Sequence, residues 1–123
     1  MLFALIAHDG KKDEMVEFAI RHREFLRNVE MVGTASTSAR IREATGLDIR
    51  AFNSGPAGGD VQIANCVLEG QIRAVFFFVE SMDVHPHDPD IQTLQRICNI
   101  TNTPLATNPA SGDLMIAGLL ALR

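Results

Sequence analysis

The chain has 123 residues, of which 46% are hydrophobic and 21% charged, and its formal net charge is −4 with a pI of about 5.5. These values are typical of a soluble globular protein, and the length is sufficient for a substantial core, so we predict a single domain over residues 1–123. The acidic charge and the absence of Trp and Tyr argue against a nucleic-acid-binding protein.

The first half of the chain alternates between apolar runs and helical periodicity. Residues 2–7 (L-F-A-L-I-A) form a continuous apolar run, which is typical of a strand buried on both faces. Apolar residues at helical spacing then predict a helix over about 11–27. Shorter patterns predict a second strand at 31–34, a helix over 36–46 that ends in glycine, and a third strand at 49–52.

The second half continues this alternation. Apolar residues over 63–68 predict a helix, and the run at 73–79 (R-A-V-F-F-F-V) is the strongest strand candidate in the chain. A helix with one apolar face is predicted around 91–98, and a short fifth strand at 104–107. The last helix is predicted to begin at about Gly112.

Five strands that alternate with helices through short connections are typical of a three-layer α/β fold. We therefore predict a five-stranded parallel sheet with helices on both faces. In such sheets ligands bind outside the carboxyl ends of the strands, so functional residues are expected at that edge.

Polar residues follow all five predicted strands. They are His8, Asp9 and Lys12 after the first strand, Thr34, Ser36, Thr37 and Ser38 after the second, Ser54, Gly55 and Asp60 after the third, Glu80, Asp83, His85, His87, Asp88 and Asp90 after the fourth, and Thr107 and Asn108 after the fifth. This convergence from five segments indicates one site at the carboxyl edge of the sheet.

Each group at this edge also has a plainer interpretation. The hydroxyl groups at 34–38 and the helix start that follows suit phosphate oxygens, but the same residues could simply cap the helix. Lys12 could be a solvated surface lysine. Ser54 and Gly55 could form only a turn, as could the other glycines that lead to Asp60.

The H-P-H-D-P-D stretch at 85–90 contains His and Asp, which are metal ligands. Two prolines fix its backbone, however, and the chain has no second His or Cys cluster at a recognised ligand spacing. We therefore expect no metal site. Asp88-Pro89-Asp90 also resembles the start of a helix.

The remaining sequence signals concern environment and assembly. Cys66 and Cys98 lie far apart on apolar helical faces, so we expect buried, reduced thiols. No apolar run approaches the roughly 20 residues that span a bilayer, and no signal peptide is recognisable, so we expect a cytoplasmic protein. The last helix is apolar nearly all round, which favours burial in a subunit interface.

Several short segments together resemble the methylglyoxal synthase family. They are A-H-D at 7–9, G-T-A-S-T-S at 33–38, S-G-P-A-G-G-D at 54–60, P-H-D-P-D at 86–90 and P-L-A-T-N at 104–108. The segments occur in the order and spacing of that family over nearly the whole chain. The resemblance implies a Rossmann-like fold and a lyase that converts dihydroxyacetone phosphate into methylglyoxal and inorganic phosphate, without metal or organic cofactor.

The resemblance also implies roles for individual residues. Asp60 would be the catalytic base, and His87 would polarise the substrate carbonyl, with Asp9 and Asp90 as further acidic residues of the active site. The substrate and phosphate contacts would be His8, Lys12, Thr34, Ala35, Ser36, Thr37, Ser54 and Gly55. The family further implies a homohexamer and feedback by phosphate.

This chain departs from the family pattern at Ala35 and Ser38, where glycines are usual, and at Glu80, where aspartate followed by proline is usual. It also ends at Arg123, without a confident match to the arginine that some members have near the C-terminus. These departures leave two alternatives open. One is a non-catalytic or regulatory domain that binds a phosphorylated ligand, and the other is a different enediolate reaction on a small phosphorylated sugar.

Overall fold

The computed structural model describes residues 1–86 and 88–122. Within them the chain forms a parallel sheet in the order β3-β2-β1-β4-β5. The strands are β1 (Leu2–Ala7), β2 (Glu30–Gly33), β3 (Arg50–Ala51), β4 (Ile72–Phe78) and β5 (Leu105–Ala106). The predicted five-stranded parallel sheet is confirmed. The edge strands β3 and β5 are shorter than predicted, since each pairs along only one side and over only two residues.

Helices connect the strands and cover both faces of the sheet. They are α1 (Lys12–Arg21), α2 (Arg23–Leu26), α3 (Ala35–Thr45), α4 (Gly59–Leu68), α5 (Ile91–Thr101) and α6 (Pro109–Ala121). Short 3-10 turns at Asp9–Lys11 and Gly55–Ala57 lie at the carboxyl edge of the sheet, just before α1 and α4.

The core is divided in two by the sheet. Because side chains alternate along a strand, Phe3 and Leu5 of β1 face one layer, whereas Ala4 and Ile6 face the other. The first layer includes buried residues of α1, α2, α3 and α6, and the second those of α4 and α5. The Phe-rich strand β4 divides its side chains in the same way, and so the three-layer prediction is confirmed.

Two helix boundaries differ from the predictions. The helix predicted over 11–27 is interrupted at His22 (φ −107°, ψ 22°), although the N–H of His22 and that of Leu26 keep helical hydrogen bonds. The last helix begins at Pro109 rather than at about Gly112. Asn108 caps it by accepting the Ser111 N–H at 2.9 Å, and proline in the first turn is compatible with a helix start.

Both cysteines carry free thiols, as predicted. Cys98 is buried, and burial raises the pKa of its thiol to about 11. Cys66 is only partly buried, because its position on α4 lies at the margin of the apolar layer. Burial, followed by the charge of Glu69, nevertheless raises the pKa of Cys66 as well. In the part of the chain that the structure describes, no helix is long and apolar enough to cross a membrane.

Candidate active site at the carboxyl edge of the sheet

Lys12 is held at the end of β1. The 3-10 turn at Asp9–Lys11 leads into α1 and turns the Lys12 side chain back toward the strand. Its ammonium donates to the Ala7 carbonyl oxygen at 3.1 Å and to Asp9 Oδ1 at 2.7 Å. Only 12% of the side chain is exposed, so Lys12 is a positioned cation and not a solvated surface lysine.

His8, directly after β1, is 2% exposed. Its Nδ1 accepts the Glu80 N–H at 3.0 Å, and its Nε2 lies 2.7 Å from the Pro89 carbonyl oxygen. The ring also packs edge-on against Phe77 of β4, with centroids 5.2 Å apart. His8 therefore connects the ends of β1 and β4 with the segment that precedes α5.

The start of α3 provides the second part of the edge. Thr34 precedes the helix with an extended backbone, and Ser36 is exposed in the first turn, whereas Thr34 and Thr37 are buried and their Oγ1 atoms lie 3.4 Å apart. Ala35 needs no positive φ, since the only non-glycine residue with positive φ among the described residues is Asn102. Alanine is thus accepted at position 35 without backbone strain.

Ser38 points away from this edge. Its Oγ is fully buried and has no hydrogen-bond partner among the described residues. A Cβ added at Gly33 of β2 would lie 2.7 Å from that Oγ, so the hydroxyl faces the strand. The serine therefore changes the packing between α3 and the sheet, not the polar surface at the helix start.

The glycines before Asp60 form a tight turn. Gly58 has φ 91°, a conformation that favours glycine, and the Gly59 N–H donates to the Ser54 carbonyl oxygen at 2.9 Å. A Cβ at Gly59 would lie 1.8 Å from the Asn53 carbonyl oxygen, so only glycine fits. The turn places Asp60, which is partly buried, in the first turn of α4.

Asn53 joins this turn to the start of α3. Its carbonyl oxygen accepts the Ala35 N–H at 3.3 Å, and its own N–H donates to the Gln62 side chain at 2.8 Å. Sequence reasoning missed Asn53, because the residues that it joins are distant along the chain and no motif marks it.

The segment between β4 and α5 is held by carboxylates. Asp88 accepts the Asp9 N–H at 3.1 Å and the His85 N–H at 2.9 Å. Burial opposes its ionisation, but the two N–H donors together with His8 outweigh burial, and the pKa of Asp88 is lowered. Asp90 caps α5 by accepting the Gln92 N–H at 2.9 Å, so a helix does start here with an acidic cap, but Pro89 precedes the cap and is not in the first turn as predicted. His87, the predicted electrophile, lies outside the described residues.

The Glu80 carboxylate has partners within the protein. It accepts the Met82 N–H at 2.8 Å, which is the main reason why the pKa of Glu80 is lowered. The Lys11 ammonium, 4.0 Å from Glu80 Oε2, lowers it further. The longer side chain thus stabilises the turn after β4.

Two of the predicted carboxylates share a cleft. Asp60 and Asp90 lie among the lining residues of a cavity of about 250 Å³ between α4 and α5, whose other walls are largely apolar. Asp90 also lines a second hollow of about 590 Å³, together with His8, Glu80 and Asp88. Among the described residues no group of three or more His, Cys, Asp or Glu side chains could hold a metal ion.

This edge of a five-stranded parallel sheet matches a known class of domain. A family model described as the MGS-like domain matches residues 14–107. The crystal structure of methylglyoxal synthase from Elizabethkingia anophelis NUHP1 is similar with a TM-score of 0.91 and 36% identity, over 94% of this chain and 76% of that chain.

Curated relatives are closer in sequence. Methylglyoxal synthase of Thermus thermophilus is 49% identical over 114 residues, which are 93% of this chain and 90% of the relative. The enzyme named methylglyoxal synthase in Cupriavidus pinatubonensis is 50% identical over 116 residues, or 94% of this chain and 89% of the relative. The chain belongs to the methylglyoxal synthase family, a family of lyases, as the sequence predicted. The alternative of a non-catalytic binding domain is not favoured.

Proposed function

We propose that the protein converts dihydroxyacetone phosphate into methylglyoxal and inorganic phosphate through an enediolate phosphate. The observation that carries the proposal is the convergence of a held ammonium, a helix start and a carboxylate at one sheet edge. These are Lys12, the first turn of α3, and Asp60. Membership of the methylglyoxal synthase family supports the choice of substrate.

The phosphate group would lie at the start of α3. The first N–H groups of a helix have no partner within the helix and favour an anion. Lysine has three N–H donors, and two of those of Lys12 are engaged by Ala7 and Asp9, so one remains for a phosphate oxygen. The proposed phosphate contacts are Lys12, Thr34, Ala35, Ser36, Thr37, Ser54 and Gly55. The Ala35 N–H would have to exchange its 3.3 Å bond to the Asn53 carbonyl oxygen for one to phosphate.

Asp60 would act as the base. A carboxylate that is close to the hydroxyl-bearing carbon removes a proton there, and the electron pair forms the enediolate with the neighbouring carbonyl. Donors near the carbonyl oxygen stabilise the developing charge, a role we assign to His87. We place Asp9 and Asp90 in the active site as further acidic groups, and His8, which lines the same hollow as Asp90, as a further substrate contact.

Loss of phosphate completes the reaction. A proton first moves from the terminal hydroxyl to the oxygen of the former carbonyl, a transfer that we also assign to His87. The electron pair of the terminal oxygen then forms an aldehyde as the C–O bond to phosphate breaks, which leaves the enol of methylglyoxal. This enol gains a proton at its methylene carbon and loses its O–H proton, and so becomes methylglyoxal. Atoms and electrons balance without an oxidant or reductant.

The test measures methylglyoxal and phosphate together from purified protein and dihydroxyacetone phosphate. Asp60→Asn keeps the shape of the side chain but removes the base, so we expect kcat to fall by about 10² to 10⁴. Asp48→Asn, the same change at an exposed site before β3, is the matched control and should keep wild-type activity. Unequal release of the two products, or an active Asp60→Asn, would contradict the proposal.

We also propose a homo-oligomer, and a hexamer on the basis of the resemblance. Support comes from α6, where Leu114 is 76% exposed and Leu120 44% exposed on the described chain. Apolar side chains in such a position favour an interface. Light scattering tests this, since a monomer at micromolar concentration would contradict it. A cytoplasmic location is a proposal that rests on the sequence pattern, and regulation by phosphate is one that rests on the resemblance.

A further inference from the structure

We propose that Gln62 is a positioning residue for the proposed reaction. Its side-chain oxygen ties the start of α4, and with it Asp60, to the chain just after β3. The link is the hydrogen bond that the Asn53 N–H donates to Gln62 Oε1 at 2.8 Å. The kinetic consequence rests on the proposed function, whereas the hydrogen bond can be tested without it.

The Asn53 N–H finds its partner outside the sheet. β3 is an edge strand and pairs with β2 alone. The ladder to β2 continues through the Phe52 N–H, which donates to the Gly33 carbonyl oxygen at 2.8 Å. Because successive N–H groups of an extended chain point to opposite sides, the next one, that of Asn53, points away from β2. Gln62 accepts it and so connects the end of the edge strand to α4.

Gln62 lies two residues after Asp60, near the start of α4. Its own N–H donates to the Gly58 carbonyl oxygen at 3.0 Å, so one residue contacts both the glycine turn and the strand end. The Asn53 side chain adds a further connection, because its Nδ2 donates to the Ala57 carbonyl oxygen at 3.2 Å. The turn that carries the proposed base is therefore held at both of its ends.

Substrate binding would make the bond to Gln62 more important. The Asn53 carbonyl oxygen accepts the Ala35 N–H at 3.3 Å, and that N–H is also a proposed phosphate contact. When phosphate takes the Ala35 N–H, Asn53 loses its bond to α3 but keeps the one to Gln62. The Gln62 side chain then holds Asn53 beside the base turn while the substrate is bound. We therefore expect Gln62 to act on kcat and not on KM.

Two substitutions separate the acceptor oxygen from the rest of the side chain. Gln62→Met keeps the length of the side chain, but its thioether is only a weak acceptor. Gln62→Glu keeps an oxygen at the position of Oε1 and can accept the Asn53 N–H. The added charge of glutamate acts on the binding of an anionic substrate and on the titration of a nearby base, so kcat is compared at the pH optimum of each variant.

We expect kcat to fall about tenfold in Gln62→Met, with little change in KM. This is less than the roughly 10²-fold that a misplacement of about 1 Å can cost, because Gln62 is exposed and the turn keeps its backbone bonds. Gln62→Glu should keep a kcat close to that of wild type. Gln95→Met, the same change at an exposed position of α5, is the matched control and should keep wild-type kcat.

A second measurement does not depend on activity. Amide hydrogen exchange at Asn53 should be faster in Gln62→Met than in wild type and unchanged in Gln62→Glu, since only the former loses the acceptor. The Gly59 N–H, which donates to the Ser54 carbonyl oxygen at 2.9 Å, should also exchange faster in Gln62→Met, because one end of the turn is then released.

Three results would overturn the positioning role. Wild-type kcat in Gln62→Met, with a lower melting temperature alone, would leave Gln62 a stabilising residue only. Equal loss of kcat in Gln62→Met and Gln62→Glu would assign the effect to the amide group, as in a direct contact with substrate. Unchanged exchange at Gly59 in Gln62→Met would show that the side chain does not hold the turn.

Failure of the proposed function is distinguishable from failure of this inference. If wild-type protein released no methylglyoxal, the proposed function would fail. Exchange at Asn53 and Gly59 would still decide whether Gln62 holds the start of α4.

Discussion

The Lys12 ammonium and the Asp9 carboxylate form an ion pair with 2.7 Å between Nζ and Oδ1, at the carboxyl end of β1. The pair keeps the lysine side chain folded back on its own first turn, where only 12% of it is exposed. A phosphate that binds here meets a cation whose side-chain entropy has already been lost, so ordering it costs little on binding.

Replacement of Lys12 tests this arrangement. Lys12→Met keeps the length of the side chain but removes a charge-assisted hydrogen bond, which is worth about 1.5 to 3 kcal/mol. We expect KM, and the concentration of inorganic phosphate that gives half of the thermal stabilisation, to rise by about 10- to 100-fold. Lys11→Met is the control, because Lys11 pairs with Glu14 and Glu80 instead. Equal effects at Lys11 and Lys12 would assign the result to net charge.

Gly59 sets the position of the base and should not accept a larger residue. In Gly59→Ala the Cβ would lie 1.8 Å from the Asn53 carbonyl oxygen, so the backbone on one side must move. We expect a loss of about 3 kcal/mol in unfolding free energy and a drop in kcat, because Asp60 is the next residue. Gly118→Ala in α6 meets no atom within 4 Å and should leave stability equal or up to about 1 kcal/mol higher. A stable, fully active Gly59→Ala would refute the tight turn.

The buried hydroxyl of Ser38 should cost stability. Because Oγ has no partner among the described residues, Ser38→Ala removes an unsatisfied polar atom. We therefore expect the free energy of unfolding, measured with denaturant, to rise by about 1 kcal/mol. Thr45→Val is the opposite case, since Thr45 Oγ1 donates to the Ile41 carbonyl oxygen at 2.6 Å and accepts the Leu47 N–H, and it should destabilise. Phosphate affinity should not change in Ser38→Ala. Weaker phosphate binding would place Ser38 in the binding site.

Asp113 should link stability to pH. Its carboxylate accepts the His22 ring N–H at 2.5 Å, the largest cause of its lowered pKa, and also bonds to Arg21. Since the pKa is lower in the folded state than the ordinary 3.8, this contribution is complete above about pH 4 and is lost as the pH falls through the folded value. Asp113→Asn should lower the free energy of unfolding at pH 7 by less than about 1 kcal/mol, because the site is half-exposed. The melting temperature should fall accordingly.

The same comparison at acid pH completes the test. As the pH falls through the lowered pKa of folded Asp113, the gap between wild type and Asp113→Asn should close, because both then carry a neutral side chain. A gap that stays constant from pH 7 to pH 3 would show that the effect comes from packing between α1 and α6. Asp48→Asn serves again as an exposed control.

The sequence predicted the sheet and the edge at which polar residues meet, because both follow from local patterns. The apolar run at 2–7 and the alternation of elements were sufficient for the architecture. The Asn108-Pro109 pair also signalled the start of α6, but the apolar periodicity further on masked it. The interruption at His22 had no local signal, since the residues around it have ordinary helical spacing.

Contacts between distant segments could not be predicted. His8 and Pro89 are 81 residues apart, and Asp9 and Asp88 are 79 apart, so their hydrogen bonds depend on the neighbouring positions of β1 and β4. The orientation of Ser38 likewise depends on how closely α3 approaches Gly33. The roles of Asp60, Asp9, Asp90 and the phosphate-binding residues stay predictions until activity is measured.

The raised thiol pKa values have a chemical consequence for an enzyme that makes a reactive dicarbonyl compound. Thiolate, not thiol, attacks electrophilic carbon. Burial raises the pKa of Cys98 to about 11, and the pKa of Cys66 is also raised. At neutral pH, therefore, nearly every molecule carries both residues as protonated thiols. Cys98 is also only 2% exposed. The chain therefore keeps its sulfur in the form least able to add to a carbonyl carbon of methylglyoxal.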